Sequence, residues 1–242
     1  SSFLWRNVMA PIARRTRVLA LDLPGFGWSD KPTDVTYDFD FFTGAVRGFL
    51  DALEVEDVAI GVHDLGGPIG ARFALDNLER VRAIALLNTV LYPEDMTETL
   101  VKLISALQTP GARERFTSAA GLEATLRLGT AKKASVTREA IEGMTDPFVT
   151  DEDRLALAKA GAELENAGLA ALAAELPSVR MPVRVIYGEQ DHFLEGVGAF
   201  VERIQRDIPQ AEITSLPDAG HFLQEDKPEQ VGELLAEFFA AH

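Results

Sequence analysis

Val58-Ala59-Ile60-Gly61-Val62-His63-Asp64-Leu65-Gly66-Gly67-Pro68-Ile69-Gly70 decides how this chain folds. Residues 58–62 form an uncharged, β-branched run of strand length. From about residue 67 to 78, Ile69, Phe73 and Leu75 recur at the spacing of one helix face. Between strand and helix stands a lone carboxylate, Asp64, followed after Leu65 by two glycines. A corner this sharp forces its central residue into a strained backbone conformation and needs small neighbours. It is the nucleophile elbow, with Asp where Gly-x-Ser-x-Gly has Ser. Such a corner raises the side chain above the sheet, where the N–H groups of the new helix favour negative charge.

Working outward, the same alternation recurs. Residues 3–13 are expected to form a helix, with Leu4, Val8 and Ile12 on one stripe, and residues 17–22 a buried strand. A loop punctuated by glycine and proline fills residues 23–32. An amphipathic helix covers 39–53, and an apolar strand covers 81–87. From Tyr92 to about Leu176 the long apolar strands vanish. Ala-, Leu-, Glu- and Arg-rich helical segments replace them, broken at Pro110-Gly111, Gly121, Gly129 and Asp146-Pro147. Within this region Thr150-Asp151-Glu152-Asp153 reads as a helix start with Thr150 as N-cap. Strands then return at 183–187 and 211–216, with helices at 196–207 and 228–241. Strand and helix alternating on both sides of a helical insertion predict an α/β fold: a mostly parallel sheet with helices on both faces. The expected division is a main domain of residues 1–91 and 177–242 and a helical cap of residues 92–176.

Two further sites join Asp64. Asp191 lies just after the strand ending at Tyr187, and His221 on the loop after the strand ending at Leu216. Sites in open parallel sheets are built at the carboxyl ends of the strands. The carboxylate of Asp64 is ionised at neutral pH and needs no base to activate it. His221 would take a proton from water, with Asp191 orienting and charging its ring. Carboxylate attack on an acyl group would give an anhydride, whereas attack on an sp³ carbon gives an alkyl ester that water can hydrolyse. The pattern therefore predicts displacement of a leaving group from carbon, or opening of an epoxide. The Leu65 N–H would stabilise the oxyanion formed during ester hydrolysis.

The quoted corner, Ser2-Phe3-Leu4-Trp5-Arg6-Asn7, the run from Asp22 to Pro32, Gly188-x-x-Asp191 and Gly220-His221-Phe222-Leu223-Gln224-Glu225 together resemble the haloalkane dehalogenase and epoxide hydrolase branch of the α/β-hydrolase superfamily. The resemblance implies the α/β-hydrolase fold and the chain order nucleophile, acid, histidine. Trp5-Arg6-Asn7 leans towards the dehalogenases, with epoxide hydrolases next. Three departures stand out. Dehalogenases of this family usually hold the leaving halide with a tryptophan just after the nucleophile, and here Leu65 occupies that position. Epoxide hydrolases protonate the leaving oxygen with two cap tyrosines, and here Tyr92, at the cap entrance, is the cap's only tyrosine. The family's His-Gly-x-Pro loop and the strands before it have no counterpart in this sequence. The missing strand would lie between residues 17–22 and 58–62, so the natural protein is expected to carry additional N-terminal residues.

The 242 residues carry a net charge of −15 and no cysteine. The charge repels polyanions, which sets nucleic acid and acidic membrane surfaces aside. Without cysteine there is no disulfide framework, thiol nucleophile or thiolate metal site. No apolar run approaches membrane-spanning length. No metal or cofactor is expected, since the four histidines show no ligand spacing. The expected partners are a small apolar organic substrate and water, and the expected location is the cytoplasm. Trp28, His63, Tyr92, Phe193 and Phe222 are the candidates for lining the substrate pocket.

Overall fold

The computed structural model describes every residue except Glu165. A short 3-10 turn, Ser2–Trp5, leads into α1 (Arg6–Ala13). Helix α2 (Phe39–Ala52) follows, its start fixed by the Asp38 side chain, which accepts the Phe41 N–H at 2.9 Å. Such caps satisfy one of the amides a helix start leaves open. Next come β1 (Val58–His63), α3 (Gly66–Asp76) and β2 (Val81–Leu87).

Between β2 and the next strand the elements among the described residues are helical. They include α4 (Glu98–Gln108), α5 (Ala112–Phe116), α6 (Ala119–Gly129), α7 (Arg138–Thr145), α8 (Asp151–Ala160) and α9 (Asn166–Glu175). Thr150 caps α8 in a full capping box with Asp153, as its sequence predicts. The chain closes with β3 (Val183–Gly188), α10 (Val197–Asp207), β4 (Glu212–Leu216), α11 (Leu223–Asp226) and α12 (Pro228–Ala241).

The four strands among the described residues form one parallel sheet in the order β1-β2-β3-β4. His63 pairs with Leu87, Leu87 with Ile186, and Gly188 with Leu216, so all four carboxyl ends meet on one edge. Alternating residues of β2 serve opposite faces, as the two-residue period of a strand requires. Ile84 and Leu86 pack with Leu172 of α9 and with Val197, Val201 and Ile204 of α10. Ala83, Ala85 and Leu87 pack with Val8 and Ile12 of α1 and with Val231, Leu235 and Phe238 of α12. A parallel sheet covered on both faces accounts for the near-continuous apolar runs of β2 and β3.

One expected element is corrected. Residues 17–22 pair with no strand among the described residues, and Leu19 is 37% exposed. A strand is stable only where a neighbour completes its ladder. The sheet ends at β1, so apolar composition alone does not bring residues 17–22 into it. No helix among the described residues is long and apolar enough to cross a membrane.

Candidate active site

Asp64 sits at the corner between β1 and α3 with φ +51°, a left-handed conformation rare for any residue but glycine. Conformations of this kind cost of order 1–3 kcal/mol and persist where neighbours over-determine them. Here the Asp64 N–H donates to the Asn88 carbonyl at 3.2 Å, and the Asp64 carbonyl accepts from Gly67 N–H at 2.9 Å and Thr89 Oγ1 at 2.7 Å. The need for small neighbours is specific. A Cβ on Gly67 would lie 1.8 Å from Thr89 Oγ1, and one on Gly70 would lie 2.5 Å from Val62 Cγ1. At Gly66 the nearest atom would be Val62 Cβ at 3.9 Å, an ordinary contact. The Leu65 N–H has no acceptor among the described residues.

His221 stands between two carboxylates. Its Nδ1 lies 2.8 Å from Asp191 Oδ2, and its Nε2 lies 3.7 Å from Asp64 Oδ2. The first is a hydrogen bond; the second is an ion pair too long to be one. Asp191 is thoroughly satisfied. Its Oδ1 accepts from the Phe193 and Leu194 amides at 2.8 and 2.9 Å, and its Oδ2 also accepts from Asn88 Nδ2 at 2.7 Å. Asn88 completes the link through its Oδ1, which accepts the Gly188 N–H at 2.8 Å.

The electrostatics follow from this placement. Burial would raise the Asp191 pKa, but hydrogen bonds from His221, Leu194 and Asn88 and the charge of His221 hold it at about 2. Burial would lower the His221 pKa, yet the two carboxylates outweigh it and push it up to about 10. Partial desolvation likewise opposes ionisation of Asp64, and His221 again prevails, holding the carboxyl below its ordinary value. The Asp64 side chain is 53% accessible, whereas the His221 side chain behind it is 3% accessible. The carboxylate therefore faces outward in front of a buried imidazole. Among the described residues no group of three or more His, Asp or Glu side chains could hold a metal ion.

A family model described as alpha/beta hydrolase fold matches residues 1–228. The chain belongs to the α/β-hydrolase fold family. This α/β-hydrolase is 27% identical over 245 residues to haloalkane dehalogenase 2 of Mycobacterium tuberculosis, covering 98% of the chain and 84% of that protein. It is 28% identical over 246 residues to a haloalkane dehalogenase of Agrobacterium fabrum, covering 97% and 80% respectively. A solved haloalkane dehalogenase from Bradyrhizobium elkani has the same fold, with a TM-score of 0.86 at 24% identity over 100% of this chain and 86% of that one.

In this α/β-hydrolase the expected pocket residues part company. His63, Phe193 and Phe222 gather at His221, with ring centroids 4.7, 5.1 and 5.1 Å from its own. The ring of His63 is fixed by a 2.9 Å contact between its Nε2 and the His221 carbonyl, which makes Nε2 the protonated nitrogen. Burial and the neighbouring charge of His221 hold the His63 pKa down to about 4, so it stays neutral. Phe193 and Phe222 join Leu4, Leu126, Val136 and Ala140 in an apolar cluster contributed by the opening turn, α6 and α7. Trp28 is corrected: it is 75% exposed on the surface. Tyr92 is corrected as well. It is buried in the core with Leu86 and Ile204, its hydroxyl donating to Asp207 at 2.9 Å and its ring under Arg203. Asn88 carries no sequence signal for this role: its bond to Asp191 spans 103 residues of chain, and no local pattern announces it.

Proposed function

We propose that the chain is an Asp-nucleophile hydrolase of the haloalkane dehalogenase kind, acting on a small apolar organic substrate, with residues 92–176 as its cap. The observation that carries this reading is Asp64 on the strained corner, accessible, and backed by the buried His221–Asp191 pair. Asp64 Oδ attacks the substrate carbon, a carbon–oxygen bond forms, and the carbon–halogen bond breaks with its electron pair on halide.

Ester formation removes the charge of Asp64, one of the two carboxylates that hold the proton on His221. His221 then gives up that proton to solvent and becomes a base. Water passes a proton to Nε2 and its oxygen to the ester carbon, while the Leu65 N–H stabilises the oxyanion. The bond from that carbon to the alkyl oxygen breaks, and the alkoxide takes the proton from His221. The regenerated carboxyl passes its proton back to His221, which restores the starting state, so haloalkane and water yield alcohol, halide and one proton.

The test is halide release from butyl bromide, with two diagnostic variants. His221→Gln should accumulate an alkylated Asp64 peptide visible by mass spectrometry, and Asp64→Ala should release no halide. Single turnover in heavy-oxygen water should label the Asp64 carboxylate and leave the alcohol unlabelled; label in the alcohol alone would refute the ester.

Epoxide opening has less support, because the Tyr37 and Tyr92 hydroxyls already donate to Pro32 O and Asp207. A second reading, ligand binding without turnover, is favoured by Leu65. That side chain packs into an apolar cluster with Phe26, Ile69, Ala160 and Leu164 where relatives of this branch usually place a halide-holding tryptophan. Tight binding of butyl bromide with neither halide release nor an Asp64 ester would establish it.

A further inference from the structure

Beyond Asp191, the backbone around His221 is gripped at three points. The His221 carbonyl accepts from His63 Nε2 at 2.9 Å. The Phe222 N–H donates to the Gly129 carbonyl at 2.9 Å, at the end of α6. The Gly220 N–H donates to Asp226 Oδ2 at 2.9 Å. Asp226 is itself buried. The same Oδ2 accepts the Ala131 N–H at 2.8 Å, while Oδ1 accepts the Lys132 N–H at 3.0 Å and Ser135 Oγ at 3.1 Å. One carboxylate therefore binds the residue before His221 to the segment that follows α6. The approach is close: a Cβ on Gly220 would lie 2.5 Å from the Gly129 carbonyl oxygen. Two of the three grips on the histidine loop thus come from, or pass through, the segment 129–135.

We propose that Asp226 is a positioning residue that couples the seating of the segment 129–135 to the placement of His221, and so governs ester hydrolysis rather than ester formation. The assignment of the two steps rests on the Asp64-nucleophile reading above. Ester formation needs Asp64, which is held by Asn88, Gly67 and Thr89, none of them bonded to Asp226. Ester hydrolysis needs His221 Nε2 aimed at a water beside Asp64, and that aim depends on the loop backbone. An amide at position 226 keeps the shape but has one acceptor oxygen, so its NH2 group must face a backbone N–H that the carboxylate satisfied. The mismatch loosens the loop without touching the reacting atoms.

The test compares wild type, Asp226→Asn, Ser135→Ala and His221→Gln with butyl bromide, following halide burst and Asp64 ester separately. In D226N ester formation should stay within about twofold of wild type while ester hydrolysis slows roughly tenfold to hundredfold, the scale of a sub-ångström to ångström misplacement. A role confined to stability would lower the melting temperature and change both steps by one factor, which would overturn the proposal. The downfield proton resonance of His221 Nδ1–H, shared with Asp191, supplies a readout that needs no substrate. It should shift in D226N and shift less in S135A. An unchanged resonance in folded D226N overturns the coupling whatever the chemistry. Should D226N fail to fold, S135A decides, since it removes one donor of four: an unchanged resonance there also overturns it. If H221Q accumulates no ester, the nucleophile reading falls alone, and the resonance comparison still judges Asp226.

Discussion

At Asp64 a carboxylate replaces the hydroxyl of the commoner elbow, and the backbone strain is stabilised by a few identifiable contacts. Gly67 is the most exacting, because Thr89, which bonds the Asp64 carbonyl, fills the space where a side chain would go. Gly67→Ala should lower unfolding free energy by about 1–3 kcal/mol in urea titration, as overpacking does. Gly66→Ala should change it by less than about 0.5 kcal/mol, since a methyl there meets nothing closer than 3.9 Å. The charges at this site also set a pH window. The His221 pKa is raised from 6.5 to about 10, so its contribution to stability is complete below pH 6.5 and is lost as pH rises through about 10. The Asp191 pKa is lowered from 3.8 to about 2, so its contribution is present above pH 3.8 and is lost as pH falls through about 2. The two shifts describe largely one interaction and should be counted once. Melting temperature against pH should show both declines in wild type, and H221Q should lose the alkaline one.

Among the elements, the joint between α1 and α11 ties the opening helix to the histidine loop. Arg6 meets Glu225 through two hydrogen bonds, of 2.5 and 3.1 Å, with side chains 19% and 4% accessible. Arg6 also reaches Glu139 on α7, so one guanidinium joins three segments. Glu225→Ala leaves that largely buried cation without its main partner and should cost about 1–3 kcal/mol in chemical denaturation. Arg6→Lys should recover only part of the joint, because an ammonium cannot match the paired geometry. These contacts tie Arg6 of the opening helix to Glu225, four residues after His221. The helices after β2 are locally specified in another way. Thr97, Ser118, Thr137 and Thr150 each cap the helix that follows.

For the molecule as a whole, the net charge of −15 surrounds a site that already holds two carboxylates. An anionic substrate must approach against that field, and a neutral one need not. Butyl bromide should therefore be turned over at a higher kcat/KM than bromoacetate. Added salt should raise the bromoacetate value and leave that of butyl bromide nearly unchanged, because screening acts only on the charged encounter. Equal salt responses in steady-state halide release would contradict this.

The sequence by itself determined the corner at Asp64, the order of the strands and helices from residue 39 onward, the parallel sheet and the appearance of Asp191 and His221 after later strands. All of these rest on local signals: hydrophobic period, turn residues and caps. Tertiary structure alone decided what depends on a distant partner. Residues 17–22 have strand-like composition but no ladder, because pairing belongs to two segments and composition to one. Trp28 and Tyr92 look alike as aromatic candidates, yet one lies on the surface and the other in the core beneath Arg203. Asn88 and Asp226 are ordinary polar residues in the sequence. Each acquires its place near His221 only when folding brings Asp191 or the segment 129–135 within hydrogen-bonding distance, and buried polar groups must find such partners.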